Sequence, residues 1–199
     1  MVTKTVDEPF RLATEIAQLW PPQGSWTEMD YFNLPESSQI VELSEGEVIV
    51  MPPPNDVHQK VLGNLYRYFY RFIEDRNLGT LRFSPLAVRL WPGKIREPDL
   101  LFVLHDHADR IGDLIYGPPD LVVEVISPGS RKTDRHEKFY EYAQAGVTEY
   151  WLVDPYAQTV EVFSLRGGIY ELLVKAGMGQ KAYSDLLAGF EILADQIFA

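Results

Sequence analysis

No cysteine occurs in the 199 residues. Disulfides, zinc-thiolate sites, iron–sulfur clusters and thiol nucleophiles are thereby excluded, and a reducing compartment suits the chain. Every apolar run is broken well short of the roughly 18 residues a membrane span requires. No N-terminal stretch joins positive charge to an apolar segment in the manner of an export signal. The expectation is a soluble, cytoplasmic protein with no membrane partner. Positive charge is scarce as well: 18 Lys and Arg stand against 29 Asp and Glu, for a net charge of −11. Such a chain does not coat nucleic acid indiscriminately, because backbone phosphates are repelled at long range. Low-complexity tracts, a Walker loop, a dinucleotide-binding glycine fingerprint and a nucleophile elbow are also missing.

What is present is one core's worth of apolar residues, 46% of the chain, which suits a single domain better than two. Charge is uneven. Residues 58–138 hold 13 Lys/Arg against 11 Asp/Glu, between flanks that are both strongly acidic. Phe10, Leu12, Ile16 and Leu19 are spaced helically before Pro21-Pro22, which predicts a helical arm within residues 1–35 ahead of a domain over 36–199. Ser44-Glu45-Gly46 turns a hairpin between Ile40 to Leu43 and Glu47 to Met51. Asn55 caps a helix with the apolar stripe Val57, Val61, Leu62, Leu65, Tyr68, Phe69 and Phe72, ending near Asn77 to Gly79. Strands are predicted at Leu86 to Leu90, Leu100 to Leu104 and Leu121 to Ile126, the last two forming the sheet's core. A helix capped by Ser130 or Thr133 runs to Ala145 and stops at Gly146. Tyr150 to Val153 and a hairpin of Val160 to Ser164 with Tyr170 to Val174 complete an α/β (α+β) chain with a β-rich tail.

Glu124 is the most informative residue. It lies inside Leu121-Val122-Val123-Glu124-Val125-Ile126, where an ionised carboxylate loses hydration that a metal, a lysine or a hydrogen-bond network must replace. Asp99 opens the preceding sheet strand after Pro98, a position equally suited to a turn. Lys138 lies about 7.5 Å along a helix that starts near Thr133, and Glu124 lies about 10 Å back along its strand. The two side chains therefore reach one level, although an i,i+4 pair with Asp134 is an alternative for Lys138. His58, near a helix start, suits a phosphate or water contact or a surface cap. Arg131, Lys132 and Arg135 cluster next to the same place, where backbone phosphate would lie, or are plain loop charge.

Pro98-Asp99 followed by Glu124 on an apolar strand resembles the PD-(D/E)XK nuclease motif. Further segments resemble the Uma-type family of restriction-endonuclease-like proteins. They are Glu42-Leu43-Ser44-Glu45-Gly46-Glu47, Met51-Pro52-Pro53-Pro54 with His58 beyond, Arg96-Glu97-Pro98-Asp99, Val122 to Pro128, and Asp134 to Lys138 continuing through Glu141 to Pro155. The resemblance implies a mixed β-sheet flanked by helices and a Mg²⁺-dependent endonuclease acting on nucleic acid, DNA in the first instance, with Mn²⁺ as a substitute ion. It implies Asp99, Glu124 and the main-chain carbonyl of Val125 as the metal shell, a lysine beside it, and Glu47 as an upstream acidic residue. One departure stands out: the lysine usually found two positions after the glutamate is replaced by Ile126. Either the cation has moved to Lys138 or the chain is a catalytically silent module that binds nucleic acid or a protein. A homodimer is expected from the apolar Tyr150-Trp151-Leu152-Val153 run and the β-rich tail.

Overall fold

The structure is a computed structural model that describes residues 20–35 and 39–199. The helical pattern from Phe10 to Leu19 lies outside the described residues. Within residues 20–35 one short helix forms, α1 (Glu28–Phe32), closed by reciprocal bonds between Thr27 and Asp30.

Period-2 patterning and short turns lay down most of the chain as strands. A hairpin of β1 (Val41–Ser44) and β2 (Glu47–Val50) turns on Glu45 and Gly46, both at positive φ, the geometry of the tight turn that matches strand twist. Helix α2 (Asp56–Glu74) follows, with Asn55 accepting from the His58 N–H at 3.0 Å. It stops earlier than the sequence predicts, because Asn77 adopts a left-handed conformation and the Leu78 N–H folds back to the Ile73 carbonyl. That frees residues for β3 (Gly79–Phe83), a strand the sequence pattern does not announce. Next come β4 (Val88–Trp91), displaced from the expected Leu86 to Leu90, and the short β5 (Lys94–Arg96). The chain continues through β6 (Leu100–Leu104), β7 (Ile115–Tyr116) and β8 (Leu121–Val125). After a wide π-helical turn over Thr133–Lys138, helix α3 (Phe139–Ala145) ends on Gly146 at φ 93°. The last elements are β9 (Glu149–Asp154), β10 (Thr159–Arg166), β11 (Ile169–Ala176), β12 (Lys181–Tyr183), β13 (Glu191–Leu193) and α4 (Ala194–Phe198).

A six-stranded mixed sheet, ordered β11-β10-β9-β8-β6-β3, is the centre of the molecule. Only β8 and β9 run parallel in it, joined by the crossover that contains α3. β6 and β8, expected as the sheet's core, are neighbours and run antiparallel, and β8 is buried at every position. One face of the sheet packs Phe102, Val123, Val125 and Trp151 against Leu65 and Phe69 of α2. The other packs Val122, Ile126 and Tyr150 against Tyr142 of α3, with Val88 and Leu90 of a second, five-stranded sheet (β2-β1-β5-β4-β7) closing that side. β9, whose apolar run suggested a subunit interface, is an interior strand with all six residues buried. Among the described residues no helix is long and apolar enough to cross a membrane.

Candidate active site

Alternation along β8 decides what Glu124 meets. Val123 and Val125 face α2, so Val122, Glu124 and Ile126 face α3. Tyr142 of α3 and Lys138, the last residue of the π-helical turn before it, reach the same face. Lys138 Nζ lies 2.9 Å from Glu124 Oε1, and the Tyr142 hydroxyl donates to the same oxygen at 2.6 Å. A lysine two residues after the glutamate would project from the strand on this face. Ile126 instead fills the core beneath α3, and the ammonium arrives from the helix.

Asp99 sits where β6 begins, and its Oδ2 accepts from the Val125 N–H at 2.7 Å and lies 3.1 Å from His58 Nε2. The first turn of α2 thus orients the carboxylate from one side while β8 holds it from the other. His58 is buried, which lowers the affinity of its ring for a proton, but the bond and charge of Asp99 outweigh this and raise it.

His58, Asp99, Glu124 and Lys138 line one cavity of about 270 Å³. Five carboxyl groups face it, from Glu42, Glu97, Asp99, Glu124 and Asp134, and the basic side chains in its lining are His58 and Lys138. The Lys138 ammonium also approaches Glu42 Oε1 at 3.1 Å and Asp134 Oδ1 at 3.7 Å. Burial alone would discharge it, yet these carboxylates hold it protonated well above the ordinary lysine range. Glu124 is pushed up, first by burial and then by Asp134, Asp99 and Glu42, with Lys138 only a partial offset. Burial likewise raises Glu97 and Asp134. Glu42 escapes this despite its burial, because Lys138 and Arg96 together hold it low. Arg96 spans Glu42 Oε2 at 2.7 Å and both oxygens of Glu141 at 2.7 and 2.8 Å.

The cavity is therefore short of positive charge, and Asp134 Oδ1 has no hydrogen-bond partner. That donor chemistry fits a hard divalent cation. Among the described residues no three His, Asp or Glu side chains already converge as a cage. An ion of the magnesium type, which keeps several waters and takes one or two carboxylates, needs no such cage.

One expectation is corrected. Glu47 is exposed at the start of β2 opposite Ser44 and does not line the cavity. The hairpin carboxylate that does is Glu42, on the facing strand. Of the three cations grouped in the loop, Arg131 and Arg135 turn to Asp154 and Glu161, at 3.0 and 2.8 Å, and Lys132 is exposed. Glu97, Asp134 and Tyr142 also belong to the site without having been singled out for it. The Arg96-Glu97-Pro98-Asp99 run and the helical spacing of Asp134, Lys138 and Tyr142 were the available signals.

A mixed sheet clasped by helices, with paired acids at the ends of neighbouring central strands, defines the restriction-endonuclease-like class. Residues 29–195 match the family described as "Uma2: Putative restriction endonuclease", and the chain belongs to that family. A solved structure described as a putative nuclease belonging to DUF820 from Anabaena variabilis ATCC 29413 superposes with a TM-score of 0.75. The two share 19% identity over 86% of this chain and 97% of that one, so the likeness is one of fold. No curated protein matches the sequence.

Proposed function

We propose that the chain is a metal-dependent endonuclease that hydrolyses phosphodiester bonds of nucleic acid, DNA in the first instance, with Mg²⁺ as its ion and Mn²⁺ as a substitute. The observation that carries this reading is the meeting of Lys138 with Glu124 on the strand face where the motif lysine would project, one hydrogen bond from the strand that holds Asp99. Asp99, Glu124 and the Val125 carbonyl would hold the ion. When bound, it supplies Lewis acidity that offsets charge on the phosphate and lowers the pKa of an attacking water. Lys138, held protonated by its carboxylate neighbours, would orient that water and offset developing charge. Tyr142 fixes the rotamer of Glu124 by its hydroxyl, and His58 fixes that of Asp99. Lys132, exposed at the helix start, contacts the phosphate backbone, with Arg131 and Arg135 alongside when they leave Asp154 and Glu161.

A homodimer belongs to the same proposal. Its face would be the outer strand β11, where Ile169 and Leu172 are exposed, and sedimentation at micromolar concentration tests it. The enzymatic reading is tested by incubating supercoiled plasmid with the pure protein and Mg²⁺ or Mn²⁺. Nicking that Glu124→Ala abolishes is expected. Undamaged plasmid that the protein nevertheless binds would assign the chain to the silent-module reading.

A further inference from the structure

The candidate cavity continues past its carboxylates. Its outer wall, Met51 and Pro52 to Pro54, is shared with a second cavity of about 300 Å³ that opens on Gln59, Ser84 and Pro85. The Ser84 N–H donates to the main-chain carbonyl of Asp99 at 3.1 Å, and Phe83 pairs across the sheet with Leu100. The outer strand β3 thus ends against the residue that would hold the ion.

At that end an aromatic surface is left in water. Phe83 is 55% exposed and Tyr70 44%. Tyr66 joins them, meeting Phe83 edge to face with centroids 5.2 Å apart and lying stacked on Tyr70 at 5.5 Å. Gln59, Tyr66 and Tyr70 recur along one flank of α2, and one position further round the helix Lys60, Arg67 and Arg71 form an exposed parallel row. An aromatic row beside a cationic row stands out in a chain of net charge −11, with Arg71 also 3.9 Å from Asp75.

The geometry points to this flank as a track for unpaired nucleic acid, with Phe83 and Tyr70 stacking bases and Lys60, Arg67 and Arg71 facing backbone phosphates. Inside a duplex the faces of the bases are already stacked on one another, so a side-chain ring reaches them only in single-stranded or locally opened substrate. Base–aromatic stacking with flanking cations is the general chemistry of single-strand recognition. The inference rests on the nuclease reading for its class of substrate and adds the state of the strand.

The test is fluorescence anisotropy in EDTA, where binding proceeds without cleavage, using a single-stranded DNA oligonucleotide, its duplex and an abasic version. Wild type is expected to bind the single strand more tightly than the other two. Phe83→Ala and Tyr70→Ala each weaken single-strand binding by about five- to a hundredfold, the effect of losing one stacked base, and leave duplex binding unchanged. Phe83→Trp retains the affinity. Both positions are exposed, and circular dichroism checks that the variants remain folded. Equal binding of the abasic and normal strands overturns the track. So does unchanged binding by both alanine variants, or a dimer that Phe83→Ala converts to monomer with DNA affinity intact. Loss of binding in Phe83→Ala together with a wild type inert on both plasmid and single-stranded DNA leaves the track standing and removes the endonuclease reading. Cleavage of a single-stranded oligonucleotide with Mg²⁺ that proceeds at the wild-type rate in both Phe83→Ala and Tyr70→Ala does the reverse.

Discussion

At the scale of single residues, the site is governed by a shortage of positive charge. Lys138 is buried among Glu42, Glu124 and Asp134, so Lys138→Met leaves three buried carboxyl groups without their shared cation. Removing one partner of a buried ionic group costs about 3–5 kcal/mol. Urea unfolding at neutral pH should show a loss of that order, partly recovered by millimolar Mg²⁺, whereas an unaltered midpoint would mean that the ammonium is dispensable to the fold. Glu124 was legible because a carboxylate inside an apolar strand demands a partner, and Lys138 because helical rise and strand rise can be compared. Glu42 was not. Alternation in a short hairpin strand does not say which face is covered, and its burial is created by Arg96 and Lys138, which come from distant parts of the sequence.

At the scale of elements, the site depends on how two helices begin. Asn55 closes the first turn of α2 through the His58 N–H, and His58 is the group that steadies Asp99. Asn55→Ala should lower stability by about 1 kcal/mol, the usual value of such a cap. It should also loosen His58, seen by NMR as a ring proton affinity closer to that of a free imidazole. A ring signal identical to wild type would separate the cap from the site. The helix after β8 was legible in outline, including its stop at Gly146. Its wide turn over Thr133–Lys138 was not, because a π-helical turn has the same local propensities as an α-helical one and is set by what packs around it. β3 and β5 were missed for a related reason: Gly79 to Phe83 and Lys94 to Arg96 carry too few alternating apolar residues to declare themselves, and pairing with β6 and β1 makes them strands.

At the scale of the whole molecule, ion pairs tie the two main sheets and α3 together. Glu141 on α3 is held by Lys94 and Arg96 of β5. Burial would raise its pKa, but the Arg96 and Lys94 bonds and charges win and lower it. Glu161 behaves likewise under Lys175 and Arg135. A carboxyl whose pKa is depressed in the folded state stabilises fully above its unfolded value, near 4.5, and loses that contribution as pH falls through the folded value. The thermal midpoint should therefore drop steeply below about pH 4.5, and Glu141→Gln should make that drop shallower. An equally steep profile in the variant would place the acid sensitivity elsewhere.

The central claim is that Asp99, Glu124 and Lys138 act as one hydrolytic site. Single-turnover cleavage of a labelled oligonucleotide, paired with calorimetric titration of Mg²⁺ or Mn²⁺ into the same proteins, tests it most directly. Wild type should cleave only with a divalent ion. Asp99→Asn and Glu124→Gln should lose both ion binding and cleavage. Lys138→Met should still bind the ion while its chemical step slows by about a hundredfold or more, the usual contribution of a group that handles the reacting proton or water. Wild-type cleavage rates in Glu124→Gln, or no cleavage by wild type at saturating Mg²⁺ and Mn²⁺, would contradict the account.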